Sequence, residues 1–280
     1  MIVRLPLSLV SLVLTVLAAH AETVHFRSAT IGPSELRVRL AKERGEPVPK
    51  VEGEMLVGEL YRPEGSGPFP AIVSLHGCTG RSPKPVEDAA AARFVELGYV
   101  VLVVDSFSTR GIKISCSGET RAIDRVMDAY GGLAFLAGLA FVDPERIAVV
   151  GYSQGAMTAL SAVAFEGVRT LFDRQFKAAV AYYPLCTGRD GNFAVPTVIL
   201  IGDKDDWTPA AECTKMMAMR RGEGADVRLV VYPDAYHGFN GRSLRDHPLT
   251  LLGHHLEYNE AADDAAWRET TQLLKRTIGP

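Results

Sequence analysis

The chain has 280 residues, 30 of them basic and 33 acidic, with a formal net charge of −3 and a hydrophobic share of 47%. Its length suits one large α/β domain better than two small ones. Neither sign of charge forms a long run, which leaves no electrostatic footprint for nucleic acid or an anionic membrane surface, and neither partner is expected.

Residues 1–21 open with a single cation, Arg4, continue through an apolar run from Leu5 to Ala19 and close on Ala19-His20-Ala21. These are the three parts of a cleaved secretory signal, and the apolar run is too short for a comfortable membrane span. The expected mature protein is soluble and exported, periplasmic or secreted, with residues 22–280 as a single domain. Four cysteines, Cys78, Cys116, Cys186 and Cys213, fall in the exported part. An even number in an oxidising compartment favours disulfides. Pairing Cys78 with Cys116 and Cys186 with Cys213 would join loops expected at the same edge of the sheet. Their spacing has no C-x-x-C pattern, so no metal site is expected.

Along the mature chain, residues 24–39 and 54–61 alternate apolar and polar side chains, as half-exposed antiparallel strands do. Residues 62–68, rich in proline and glycine, break the pattern as a loop. Six short, nearly continuous apolar runs follow, at 71–75, 99–104, 146–150, 178–182, 197–201 and 227–231. Strands covered on both faces of a parallel sheet read this way. Helical segments lie between them. Residues 86–97 are alanine-rich, and residues 120–139 place Ile123, Val126, Met127, Tyr130, Leu133 and Leu136 on one stripe. Pro209 opens a helix over 210–221, and 259–278 supplies the last. Strand and helix alternate, which predicts an α/β fold with a mostly parallel sheet and short antiparallel strands at its N-terminus. Two segments exceed a minimal alternation, residues 106–118 and 238–258. They sit where strands end, at the edge on which open α/β sheets place ligand crevices, and are expected to wall a pocket.

The chemistry concentrates at three strand ends. Arg146-Ile147-Ala148-Val149-Val150 runs into Gly151-Tyr152-Ser153-Gln154-Gly155 and then a small-residue stretch, which reads as strand, sharp turn and helix. A serine on such a turn is lifted clear of the sheet, with glycines beside it where side chains would collide. Its hydroxyl needs a base, and the base needs a third group to fix its tautomer. The strand at 197–201 leads into Gly202-Asp203-Lys204-Asp205-Asp206-Trp207-Thr208-Pro209, where three aspartates compete for the acid's role. The strand at 227–231 leads to Tyr236-His237-Gly238-Phe239, and His237 is the histidine just beyond a strand and downstream of those acids. His247, His254 and His255 lie in a polar stretch and read as surface side chains rather than metal ligands. An oxyanion would need two main-chain donors. Gln154, directly after the serine, supplies one; Cys78 in His76-Gly77-Cys78-Thr79-Gly80 supplies the other.

Taken with Asp105-Ser106-Phe107-Ser108-Thr109-Arg110-Gly111, these motifs resemble the dienelactone hydrolase family of the α/β-hydrolase superfamily, across nearly the whole mature chain. The resemblance implies the triad acid three residues after the glycine and four before the proline, which is Asp205. It also implies a cofactor-free hydrolase of small-molecule esters or lactones. Founding members carry a cysteine nucleophile and a glutamate in the loop corresponding to Gly77; this chain has Ser153 and Gly77 instead, so the dienelactone ring itself is not implied. Arg110 is a candidate for holding a substrate carboxylate through its two-pronged guanidinium. The expected function is a serine esterase using Ser153, His237 and Asp205. A peptidase or amidase on the same scaffold, or a binding protein without turnover, are the alternatives that the residues leave open.

Overall fold

The computed structural model describes residues 21–33, 35–48, 52–117 and 122–280. The expected leader, apart from Ala21, lies outside the described residues. Eight strands form the middle layer: β1 (Ala21–Arg27), β2 (Met55–Tyr61), β3 (Phe69–Leu75), β4 (Val100–Asp105), β5 (Val142–Tyr152), β6 (Ala179–Tyr182), β7 (Thr197–Gly202) and β8 (Val227–Tyr232). Their spatial order is β1-β2-β4-β3-β5-β6-β7-β8. β2 is antiparallel to both β1 and β4, and every pairing from β4 to β8 is parallel. The unbroken apolar runs have their cause here. β7, in the interior of the sheet, is buried at all six of its residues, whereas the edge strand β8 is only partly covered.

Helices cover the sheet. α2 (Lys84–Val95) packs on β2 and β4, α3 (Ala122–Ala137) on β1 and β3 to β5, and α4 (Gln154–Ala162) on β5 and β6. α5 (Ala210–Met219) meets β8, and α6 (Glu260–Thr277) meets β7. Asn259 caps α6 by accepting from the Ala262 N–H, with Glu260 and Asp263 in the first turn and Lys275 and Arg276 in the last, the charge order that the helix dipole favours.

One expectation fails at the N-terminus. The alternation over residues 24–39 is a strand only to Arg27, because Glu35–Glu43 forms a helix, α1. Leu36, Val38 and Leu40 mimic a period of two, yet Leu36 is 55% exposed and the segment is built from strong helix formers such as glutamate, arginine, leucine and alanine. The expected loop at 238–258 also holds more structure than its sequence suggested. It contains a short antiparallel hairpin of β9 (Leu249–Leu251) and β10 (His254–Leu256). Disulfides join Cys78 to Cys116 and Cys186 to Cys213.

Candidate active site

β5 ends at Tyr152 and α4 begins at Gln154, so Ser153 alone makes the turn, at φ 53° and ψ −118°. Backbone strain of this kind persists only where the surroundings enforce it. They do so through two glycines. A Cβ on Gly151 would lie 2.2 Å from the Gly155 carbonyl oxygen, and one on Gly155 would lie 2.2 Å from the Leu75 carbonyl oxygen. Only glycine lets strand, turn and helix close together, and the hydroxyl is left standing at the carboxyl edge of the sheet.

β7 and β8 bring the partners to it. His237 Nε2 lies 3.0 Å from Ser153 Oγ, and His237 Nδ1 lies 2.9 Å from Asp205 Oδ2. Both His237 and Asp205 are buried. Asp205 is held from all sides: Oδ1 accepts the N–H groups of Trp207 (3.0 Å) and Thr208 (2.8 Å), and Oδ2 accepts the Thr208 hydroxyl (2.9 Å). A carboxylate so anchored places the imidazole proton on Nδ1 and leaves Nε2 free to accept from the serine. The rings of Tyr183 and Trp207 flank the imidazole at 4.6 and 5.1 Å. The competing aspartates have other partners. Asp203 accepts the Asp234 N–H at 2.7 Å, and Asp206 accepts the His255 N–H at 3.3 Å.

Of the two expected oxyanion donors, Gln154 follows the serine directly and Cys78 lines the same cavity as the serine. Gln154 is the first residue of α4, where a backbone N–H has no carbonyl within its own helix to bond. Cys78 and its neighbours Gly77 and Thr79 line the same cavity as Ser153 and His237. That cavity has a volume of about 580 Å³, within the range of small-molecule sites. Pro85, Val86, Phe94 and Trp267 make one apolar side, and Leu251 and Leu256 of the hairpin make another. Arg93 and Arg242 also line it, both paired with the buried Asp263 at 3.1 and 3.0 Å.

Arg110 stands apart from this cluster. Its guanidinium holds Asp128 bidentately at 2.7 and 2.8 Å and also bonds Glu54, and it does not line the cavity. His254, expected at the surface, is half-buried and stacks on Trp207 with ring centroids 4.8 Å apart. Sequence reasoning missed Arg93, Arg242 and Arg125. Arg125 is 1% exposed in α3, and the signal that could have found it is a pair of charges, Arg125 and Asp128, set inside an otherwise apolar helical stripe.

The sequence model of the dienelactone hydrolase family matches residues 56–278. A Yersinia pestis protein named provisionally as a carboxymethylenebutenolidase is 23% identical over 218 residues, which cover 70% of this chain and 78% of that protein. Among solved structures, a dienelactone hydrolase-like promiscuous phosphotriesterase from metagenomic libraries superposes with a TM-score of 0.68 at 19% identity, over 94% of this chain and 100% of the other. A dienelactone hydrolase from Anabaena variabilis gives 0.62 at 16% identity, over 93% and 99%. With the strand order above, these likenesses establish the α/β-hydrolase fold.

Proposed function

The chain belongs to the dienelactone hydrolase family, and from that premise we propose that it cleaves carboxylic esters or lactones as a serine hydrolase, through an acyl-enzyme intermediate. The observation that carries the reading is the hydrogen-bonded line from Ser153 Oγ to His237 Nε2 and from Nδ1 to Asp205, at 3.0 and 2.9 Å. Ser153 Oγ attacks the carbonyl carbon while Nε2 takes its proton, and Asp205 stabilises the imidazolium that forms. The tetrahedral oxyanion is received by the N–H groups of Cys78 and Gln154, the second aided by the positive end of α4. His237 returns the proton to the departing alkoxide, and water then repeats the sequence on the acyl-serine. No cofactor enters this scheme. The two disulfides support work in an oxidising compartment, periplasmic or secreted, by residues 22–280 as one domain.

Labelling with a fluorophosphonate and turnover of short p-nitrophenyl esters test the proposal together. Ser153→Ala is expected to abolish labelling and to lower kcat by roughly 10⁴-fold or more with folding intact. Turnover retained in that variant rejects the mechanism. Faster cleavage of p-nitroanilides than of the matching esters would favour an amidase, and no labelling or turnover in the unaltered protein would favour a binding protein.

A further inference from the structure

We propose, on the reading of Cys78 and Gln154 as oxyanion donors, that Arg125 is the positioning residue that holds those two donors in one fixed relation. Arg125 reaches both sides of the site from α3. Its Nη2 donates to the His76 carbonyl at 2.7 Å, two residues before Cys78, and its Nη1 donates to the Gln154 side-chain oxygen at 2.8 Å. Gln154 Nε2 donates in turn to the Ser115 carbonyl at 3.0 Å, and the Ser115 N–H donates to the Cys78 carbonyl at 2.8 Å. The circuit therefore closes on itself through both donor residues. A planar guanidinium fixes the angle between its two acceptors, which an ammonium on a flexible stem does not.

His76 sets the direction of one donor. Its Nε2 accepts the Ser106 N–H at 3.2 Å, so the proton sits on Nδ1 and is donated to the Gly77 carbonyl at 2.7 Å. In a trans peptide the carbonyl of Gly77 and the N–H of Cys78 point in opposite directions, so holding the first aims the second. Burial, with the Arg125 charge beside it, pushes the His76 imidazole down to about 3 and keeps this neutral form throughout the working range.

Fold stability by itself is a weak reason to bury a cation here. Burying a guanidinium costs several kcal/mol, and an apolar residue of similar volume often serves stability as well or better. Among the described residues Arg125 Nε has no hydrogen-bond partner, so even the local bonding is incomplete. Asp128, one turn along α3, is held bidentately by Arg110. A charge kept in such a place is explained by the two segments that it bridges.

The test compares Arg125→Met, Arg125→Lys and Gln154→Leu on p-nitrophenyl acetate, together with inhibition by phenylboronic acid, which forms a tetrahedral adduct on a reactive serine. Arg125→Met is expected to lower kcat about 10- to 100-fold, the scale of a misplaced catalytic group, with KM within about twofold. Boronate affinity should weaken in proportion to kcat/KM. Arg125→Lys should stay impaired, and adding Gln154→Leu to Arg125→Met should cost little more, because both changes break one circuit. A folded Arg125→Met variant with unchanged kcat, a change confined to KM, or full rescue by lysine would each overturn the proposal. If Arg125→Met does not fold, Gln154→Leu decides alone, and unaltered kcat in that variant is equally fatal. Failure of the serine mechanism reads differently, as hydrolysis surviving in Ser153→Ala.

Discussion

Residues 106–117, after β4, and residues 238–258, after β8, are both polar, glycine-containing insertions at the carboxyl edge of the sheet, yet they are held in different ways. The first is braced at every few residues: the Ser106 N–H bonds His76, Arg110 grips Asp128, the Ser115 N–H bonds Cys78 and Cys116 is disulfide-linked to Cys78. None of its described residues lines the cavity. The second contributes Gly238, Asn240, Arg242, Leu251 and Leu256 to the cavity wall. Its hairpin rests on lighter contacts, a stacked His254 and Trp207, a 3.3 Å bond from the His255 N–H to Asp206, and one bridge between His237 and Leu256. Groups that meet developing charge gain from being fixed beforehand, whereas groups that meet the body of a substrate gain from being exchangeable. The braced insertion backs the proposed oxyanion donors, and the hairpin of the other, held by lighter contacts, shapes the pocket.

The largest expected effect breaks the braced side. Arg110→Met leaves the fully buried Asp128 carboxylate without its fork, and urea unfolding should show a loss of about 3 kcal/mol. KM for short esters should not change; a raised KM with normal stability would instead assign Arg110 to substrate. Replacing both Cys78 and Cys116 by serine should lower stability by about 2 kcal/mol and kcat by roughly tenfold while KM holds, since the freed loop carries a proposed donor. Equal kinetics with and without the disulfide would show that hydrogen bonds alone brace that loop.

A third effect is read by pH. The folded His76 imidazole lies at about 3 against an ordinary 6.5, so below pH 6.5 the unfolded chain takes up a proton that the folded chain refuses. Its contribution is nil above that pH and destabilises progressively as the pH falls towards 3, by up to about 1.4 kcal/mol per pH unit. His76→Gln should flatten this part of the stability profile; an unchanged slope would assign the acid sensitivity to other groups. The smallest effect belongs to the pocket side. Leu251→Ala with Leu256→Ala should raise KM for longer acyl p-nitrophenyl esters about five- to tenfold, near 1 kcal/mol of lost apolar contact, and leave acetate ester turnover alone. Loss of acetate turnover as well would mean that the hairpin also supports His237.

Much of the fold could be read directly from residue order. Strands buried on two faces must be continuously apolar, and a serine turn wedged between strand and helix must have glycines at 151 and 155. The helix at Glu35–Glu43 escaped because three apolar residues at alternate positions fit a strand's period locally, and nothing in nine residues reveals which neighbour will cover them. The choice of Asp205 among three aspartates came from family resemblance; in the structure it is the one whose oxygens receive the Thr208 hydroxyl and face Nδ1 of His237.

The line of Ser153, Asp205 and His237 was legible because each residue lies a few positions beyond the carboxyl end of a strand, and a parallel sheet carries all its carboxyl ends to one edge however far apart they lie in the chain. The bridge from Arg125 to His76 and Gln154, the engagement of Arg110 by Asp128 and the cavity wall made by Arg93, Arg242 and the hairpin were decided only by tertiary structure. Local sequence fixes which way a backbone turns, because that depends on a few adjacent residues. The partner of a buried charge depends on how whole elements pack, and that is written in no single stretch of the chain.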